Sequence, residues 1–112
     1  MTLLLMTLLA CDGEDPAPEA STGCSTVPTV TWDGWAHGFF TTYCLACHSA
    51  QNVDQRRDAP ANVDFDSEAD VVALAARVRA RVLDEGTMPI GGGVFPDDLT
   101  LLNIYMTCTL GE

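Results

Sequence analysis

Lysine is missing from this sequence, and its five basic residues are all arginine. Sixteen acidic residues leave a formal net charge of −11. A chain of this charge repels the phosphate backbone of nucleic acids and the anionic surface of a membrane. We therefore expect no nucleic-acid binding and no polybasic membrane contact. A protein partner steered by charge would present a basic docking face.

Long apolar segments are missing as well. The most apolar run, residues 1–10, is too short to span a bilayer, which takes about 20 residues. It matches the apolar part of a secretory signal peptide better, although it has no positively charged start. Residues 8–11, Leu-Leu-Ala-Cys, resemble the lipobox of bacterial lipoproteins, in which the cysteine is lipidated. We expect a signal segment over 1–10 and lipidation at Cys11; a disordered or artefactual N-terminus is the alternative.

Large apolar side chains are absent from residues 12–23, which are rich in proline, glycine and acid. Such a segment buries too little surface to fold, so residues 11–23 are predicted to be a lipidated cysteine and a flexible acidic tether. Residues 24–112 are predicted to be one domain. The tether would hold this domain at the periplasmic side of a bacterial membrane, or the chain would be periplasmic and soluble if Cys11 is not lipidated. A domain of this size is marginally stable without a cofactor or a cross-link.

Residues 44–48, Cys-Leu-Ala-Cys-His, form a C-x-x-C-H motif, which is the attachment signature of c-type haem. Two thiols at this spacing can add to the two vinyl groups of one porphyrin, and the histidine then lies beneath the iron. The thioether of Met88 is the candidate for the sixth iron position. We predict one covalent haem c held by Cys44, Cys47, His48 and Met88, with His48 and Met88 as the iron ligands.

Two other interpretations of the motif stay open. In the first, the haem iron keeps an open sixth position, as in a peroxidase-like or gas-binding module, and Met88 only fills a gap in a loop. In the second, Cys44, Cys47 and His48 bind zinc or form a redox disulfide, although no second C-x-x-C or nearby histidine completes a zinc site. We expect no enzyme, because the sequence contains no Ser/His/Asp set and no phosphate-binding loop.

Other candidate side chains receive simpler interpretations. His37 is assigned to the surface or an interface, and Met106 to the apolar core, in preference to iron ligation. Arg56 and Arg57 could pair with a haem propionate or be solvated loop charges. Once Cys11 and the motif are set aside, Cys24 and Cys108 remain at the two ends of the domain. In a secreted chain this pair predicts a disulfide, with two unpaired buried thiols as the alternative.

Three helices and no strands are expected from the periodicity of the apolar residues. The first follows Thr31 or Asp33 as its cap and runs to Cys47. The second starts at a capping-box pattern in residues 67–70 and stops at Gly86. The third runs from Pro96 to Cys108. The long connection over residues 49–66 is expected to wrap over the edge of the haem.

With three helices, C-x-x-C-H at the end of the first and Met-Pro after the second, residues 31–108 resemble a class I monohaem cytochrome c, in particular its bacterial lipoprotein-type members. The resemblance implies an all-α, cytochrome c-like fold in which three main helices and long loops wrap around one covalently attached haem. It implies a monomer that transfers single electrons between redox partner proteins. The lysine-rich face of mitochondrial members is absent, so their partners do not carry over.

The resemblance also implies roles for single residues. Phe40 and Ala36 on the first helix would pack with Tyr105 where the first and last helices cross. A backbone carbonyl of the segment Ala59–Pro60 would accept the ring N–H of His48.

Overall fold

The computed structural model describes residues 23–112, and helices and turns are the only secondary structure that this part of the chain contains. A 3-10 turn at Cys24–Thr26 comes first. The four α-helices are α1 His37–Tyr43, α2 Glu68–Ala73, α3 Ala75–Val78 and α4 Pro96–Ile104. The all-α class is thereby confirmed for the described residues. The predicted signal segment 1–10, Cys11 and residues 12–22 of the predicted tether lie outside them.

Wider π-helical segments lengthen three of these helices. They are Trp32–Ala36 before α1, Arg79–Asp84 after α3 and Tyr105–Thr109 after α4. The helical regions lie where the apolar periodicity predicts them, except that the first ends at Tyr43 and not at Cys47, because the chain leaves the helix at Cys44 and continues as a turn. The second region is divided at Leu74, whose backbone (φ −111°, ψ 14°) leaves the α-helical range. None of the helices in residues 23–112 is long and apolar enough to cross a membrane.

Local side-chain chemistry explains where the helical regions begin. Thr31, and not Asp33, caps the first region by accepting a hydrogen bond from the Gly34 N–H at 3.0 Å. A Cβ at Gly34 would lie 2.6 Å from that Thr31 oxygen, which explains the glycine. Ser67 and Asp70 form the predicted capping box at α2. Pro96 occupies the first turn of α4, where its missing N–H costs nothing.

One hydrophobic core gathers the helical regions. Val71, Val78 and Val82 of the second helical region are buried in it. Met106 is fully buried, as predicted, and so are the three residues that the resemblance places together, Ala36, Phe40 and Tyr105. Burial of such side chains supplies most of the stabilisation of a small domain.

Long-range bonds join the two ends of the described chain. The predicted Cys24–Cys108 disulfide is present and links residues 84 positions apart. The Thr109 hydroxyl donates to the Val30 carbonyl beside it. A further hydrogen bond connects α1 to α4, since the Tyr43 hydroxyl donates to Asp98 at 2.8 Å. The segments before α1 and after α4 are thus held against each other.

Candidate cofactor site

The C-x-x-C-H motif folds as a turn on the carboxyl end of α1. The Cys44 N–H donates to the Phe40 carbonyl at 2.9 Å and ends the helix. The Cys44 carbonyl then accepts the N–H groups of Cys47 at 3.2 Å and His48 at 2.9 Å. Because the turn is short and hydrogen-bonded to itself, it holds the three functional side chains on one compact segment.

Both thiols of the motif are free and partly buried. Burial raises the pKa of the Cys44 thiol to about 12, because a thiolate is poorly solvated in apolar surroundings. Cys44 is therefore a protonated thiol at neutral pH.

His48 is oriented by the segment that precedes α2. Its ring Nδ1 lies 2.7 Å from the Val63 carbonyl oxygen, and its own carbonyl accepts the Phe65 N–H at 2.9 Å. The buried Phe65 ring meets the imidazole edge-on, with 5.5 Å between centroids. Since a carbonyl can only accept, Nδ1 carries the proton and Nε2 keeps the lone pair that binds a metal. An outer partner of this kind is typical of metal-binding histidines.

The acceptor for His48 corrects an expectation drawn from the resemblance. The carbonyls of Ala59 and Pro60 are occupied by Arg56, at 3.3 Å and 2.6 Å, and the chain presents Val63 to the imidazole instead. The structure also places the two arginines differently. Arg56 forms a partly buried ion pair with Asp64 at 2.7 Å, whereas Arg57 is exposed.

Met88 lies in the loop between the second helical region and α4. The Arg81 carbonyl accepts the N–H groups of Thr87 at 2.8 Å and Met88 at 3.1 Å, which ties the start of the loop to the helix. The Met88 side chain is partly buried and packs against the core cluster, as Cys44 does. Cys44 and Met88 thus contact the same apolar body, and His48 contacts it through Phe65.

Large apolar side chains are exposed on the same loop. Ile90 is 72% exposed and Phe95 is 71% exposed. Exposed apolar side chains of this kind mark a surface that a ligand or a partner can cover. Within the motif, the two free thiols and the histidine with its Nδ1 bonded to Val63 are the groups that a covalently attached haem would use.

Other features of the described chain lie apart from this segment. One cavity of about 300 Å³ is bordered by Trp35, Tyr43 and Asp98, and another of about 220 Å³ by Val53 and Arg56; neither is lined by the motif or by Met88. In residues 23–112 no three His, Cys, Asp or Glu side chains converge as a metal site. A haem iron is bound by the porphyrin with one histidine and one thioether, and not by a cluster of this kind. His37 is exposed, with its ring 5.3 Å from that of Trp32.

Sequence reasoning missed the bonding pattern of Arg56 and the buried hydroxyl of Tyr105. The Tyr105 hydroxyl donates to Glu68 at 2.6 Å, across a separation that no local pattern indicates. The sequence places several acidic residues near Arg56, but no pattern identifies Asp64 as its partner.

No protein-family model, curated protein or solved structure matches this chain.

Proposed function

We propose that this chain is a one-electron transfer protein that carries one covalently attached c-type haem. Cys44 and Cys47 would form the thioether links, and His48 and Met88 would be the axial ligands. The observation that carries the proposal is the C-x-x-C-H turn with two free thiols and a histidine whose Nδ1 is taken by the Val63 carbonyl. That combination leaves one ring nitrogen for iron and two thiols for the porphyrin.

A bound haem supplies reversible one-electron exchange at its iron, and thioether ligation favours the reduced form. The chain's own residues supply the setting. Val63 fixes the proton of His48 on Nδ1, and Phe65 limits rotation of the ring. The Met88 side chain is partly buried and packs against the hydrophobic core.

One observation favours the open-site alternative as a second candidate. The loop beyond Met88 contains Gly91, Gly92 and Gly93 at positive φ (85°, 71° and 88°), and the space that a Cβ would fill is open at all three. A loop with so little packing has a low free energy of local opening. If it opens, Met88 leaves the iron and the protein becomes a gas-binding or peroxidase-like module. Rapid binding of carbon monoxide to the reduced wild-type protein would support this candidate.

The cellular setting belongs to the same proposal. Covalent haem attachment takes place outside the cytoplasm, and we propose a periplasmic monomer anchored to a membrane through Cys11 that exchanges electrons with partners having a basic face. The net charge of −11 supports the choice of partner. Fractionation of the native host tests the anchor: recovery of all the protein in the soluble periplasmic fraction would contradict it.

The visible spectrum of the protein, produced in a periplasm with haem-maturation machinery, tests the central proposal. The wild type should be coloured and keep its haem through acid–acetone extraction. The double variant Cys44→Ala/Cys47→Ala should carry no covalent haem and be largely unfolded, because so small a core needs the cofactor. Cys24→Ala/Cys108→Ala is the matched control and should keep the haem. A colourless wild type, or haem that resists extraction from the Cys44/Cys47 variant, would refute the proposal.

A further inference from the structure

Arg56 lies at the centre of the connection between the haem motif and α2. Its guanidinium donates to the side chain of Asp64 at 2.7 Å, and both side chains are largely buried, at 14% and 17% exposure. The same group also reaches five backbone carbonyls, those of Ser49, Asn52, Ala59, Pro60 and Val63. One cation therefore organises most of the segment that follows His48.

The Val63 carbonyl links Arg56 to the histidine. It receives Nδ1–H of His48 at 2.7 Å and is approached by Nη2 of Arg56 at 3.4 Å. A carbonyl oxygen has two lone pairs and can accept from both donors at once. The Phe65 N–H bonds to the His48 carbonyl at 2.9 Å, so the backbone holds residues 63–65 beside the imidazole.

We propose that Arg56 is a positioning residue that sets the donor strength of His48 through the shared Val63 carbonyl, with Asp64 opposing it. This inference rests on the proposed function. A cation on the carbonyl draws electron density from it, so the carbonyl accepts less strongly from Nδ1–H and the imidazole keeps less anionic character. A less anionic imidazole stabilises ferric iron less, which raises the reduction potential. The Asp64 carboxylate partly neutralises the cation and so lowers the potential.

A purely structural role for Arg56 makes a different prediction. If the ion pair only fastened the loop, removing either partner would loosen the same segment and shift the potential in the same direction. If Arg56 acts electrostatically on Val63, Arg56→Gln and Asp64→Asn should shift the potential in opposite directions. Shifts of equal sign therefore exclude the electrostatic role, and exchange of the His48 Nδ1 proton shows whether that role acts through Val63.

The experiment uses the haem-bearing wild type, Arg56→Gln, Asp64→Asn and Arg56→Lys, with the midpoint potential as the first measurement. Arg56→Gln should lower the ratio of ferrous to ferric protein about threefold at a fixed applied potential. For a one-electron couple, at 59 mV per tenfold, this corresponds to a midpoint potential that is lower by about 28 mV. Asp64→Asn should raise it by a similar factor. Arg56→Lys keeps the charge with fewer donors and should lie between the wild type and Arg56→Gln.

A second measurement does not depend on electron transfer. Solvent exchange of the His48 Nδ1 proton, followed by nuclear magnetic resonance in the reduced proteins, should be slower in Arg56→Gln, provided the segment stays folded, because the carbonyl then accepts more strongly. If Arg56→Gln does not fold, Asp64→Asn and Arg56→Lys decide the question. A lower potential in Asp64→Asn would then overturn the inference, and a higher one would support it.

The outcomes for the inference and for the proposed function differ. Shifts of equal sign in Arg56→Gln and Asp64→Asn, or no shift in either, with covalent haem retained, overturn the positioning role alone. A wild-type protein without covalent haem overturns the proposed function, and the inference with it.

Discussion

Met88 and Met106 differ in their surroundings. Met106 is fully buried within the helical segment that continues α4. Met88 is partly buried in a loop and precedes Pro89, at the margin of the core. A loop side chain can turn toward an iron without disturbing a helix, and a packed core side chain cannot. This difference supports Met88 as the axial ligand.

Replacing Met88 with alanine should therefore remove the sulfur ligand of the proposed haem iron and leave the protein folded. We expect the ferric protein to lose the weak near-infrared-edge charge-transfer band of His/Met cytochromes. The potential should fall, because sulfur ligation favours reduced iron, and the reduced protein should bind carbon monoxide. Absorption spectra and potentiometry measure all three effects.

Met106→Ala is the matched control for that experiment. It should keep the band and lower the free energy of unfolding by about 2–5 kcal/mol, because it leaves a cavity in the core. Loss of the band in Met106→Ala, with the band intact in Met88→Ala, would show that the ligand assignment is wrong.

The buried hydroxyl of Tyr105 makes stability depend on alkaline pH. Burial and the hydrogen bond to Glu68 raise the pKa of Tyr105 above its ordinary value of 10.0. A raised folded-state pKa gives stability that is complete below pH 10 and is lost as the pH rises further, since only the unfolded chain then ionises. In Tyr105→Phe the free energy of unfolding should therefore fall less steeply as the pH rises above 10. Urea midpoints from about pH 8 to about pH 11, read by circular dichroism, measure it.

Tyr43→Phe provides the comparison for Tyr105. The hydrogen bond to Asp98 raises the pKa of Tyr43 as well, but this hydroxyl lies nearer to solvent, where water screens the interaction. Tyr43→Phe should therefore change the pH dependence of the free energy of unfolding less than Tyr105→Phe does. An equal or larger effect of Tyr43→Phe would contradict the dominant role assigned to the buried Tyr105.

At the scale of the elements, α2 depends on its cap. Ser67 accepts from the Asp70 N–H at 3.2 Å, and the Asp70 side chain accepts from the Ser67 N–H at 3.1 Å. Ser67→Ala removes the first of these bonds and should lower the free energy of unfolding by about 1 kcal/mol. Chemical denaturation measures the change. Ser67→Asp keeps an acceptor and should retain most of the stability; an equal loss in both variants would point to another cause.

The C-x-x-C-H motif is a structural extension of α1. Its turn is attached to α1 through the Phe40 carbonyl, which accepts the N–H groups of both Cys44 and Leu45. Phe40 is itself fully buried. The start of the motif is therefore positioned by the core packing of α1, whereas His48 is also held by residues 63–65 of the connection that follows.

At the scale of the whole molecule, the Cys24–Cys108 disulfide closes nearly the entire described chain. Breaking it with Cys24→Ala/Cys108→Ala should lower the free energy of unfolding by about 2–4 kcal/mol, because a long loop is no longer constrained in the unfolded state. The haem spectrum should stay the same, since the bridge lies outside the motif. Denaturant unfolding and absorption spectra test both points, and two free thiols in the native wild type by mass measurement would refute the bridge itself.

Much of this architecture was predictable from local sequence. The helical regions, the cap at Ser67, the first-turn proline at Pro96 and the stop at Gly86 follow from apolar periodicity and from residues whose preferences act within one turn. The disulfide was predictable for another reason, because setting aside the motif cysteines and Cys11 left one pair. The chemistry assigned to residues 44–48 likewise depends only on residue type and spacing.

Only the tertiary structure decided what surrounds His48. The acceptor of its ring proton is Val63, while the carbonyls of Ala59 and Pro60 accept from Arg56. The partner of Tyr105 is Glu68, far away in the chain. The pairing at His48 depends on the path of residues 49–66, which have no periodic apolar pattern. That path is set by the burial of Arg56 among several possible acceptors. Helix positions are local properties of a sequence, whereas the partners of a buried polar group are properties of the folded chain.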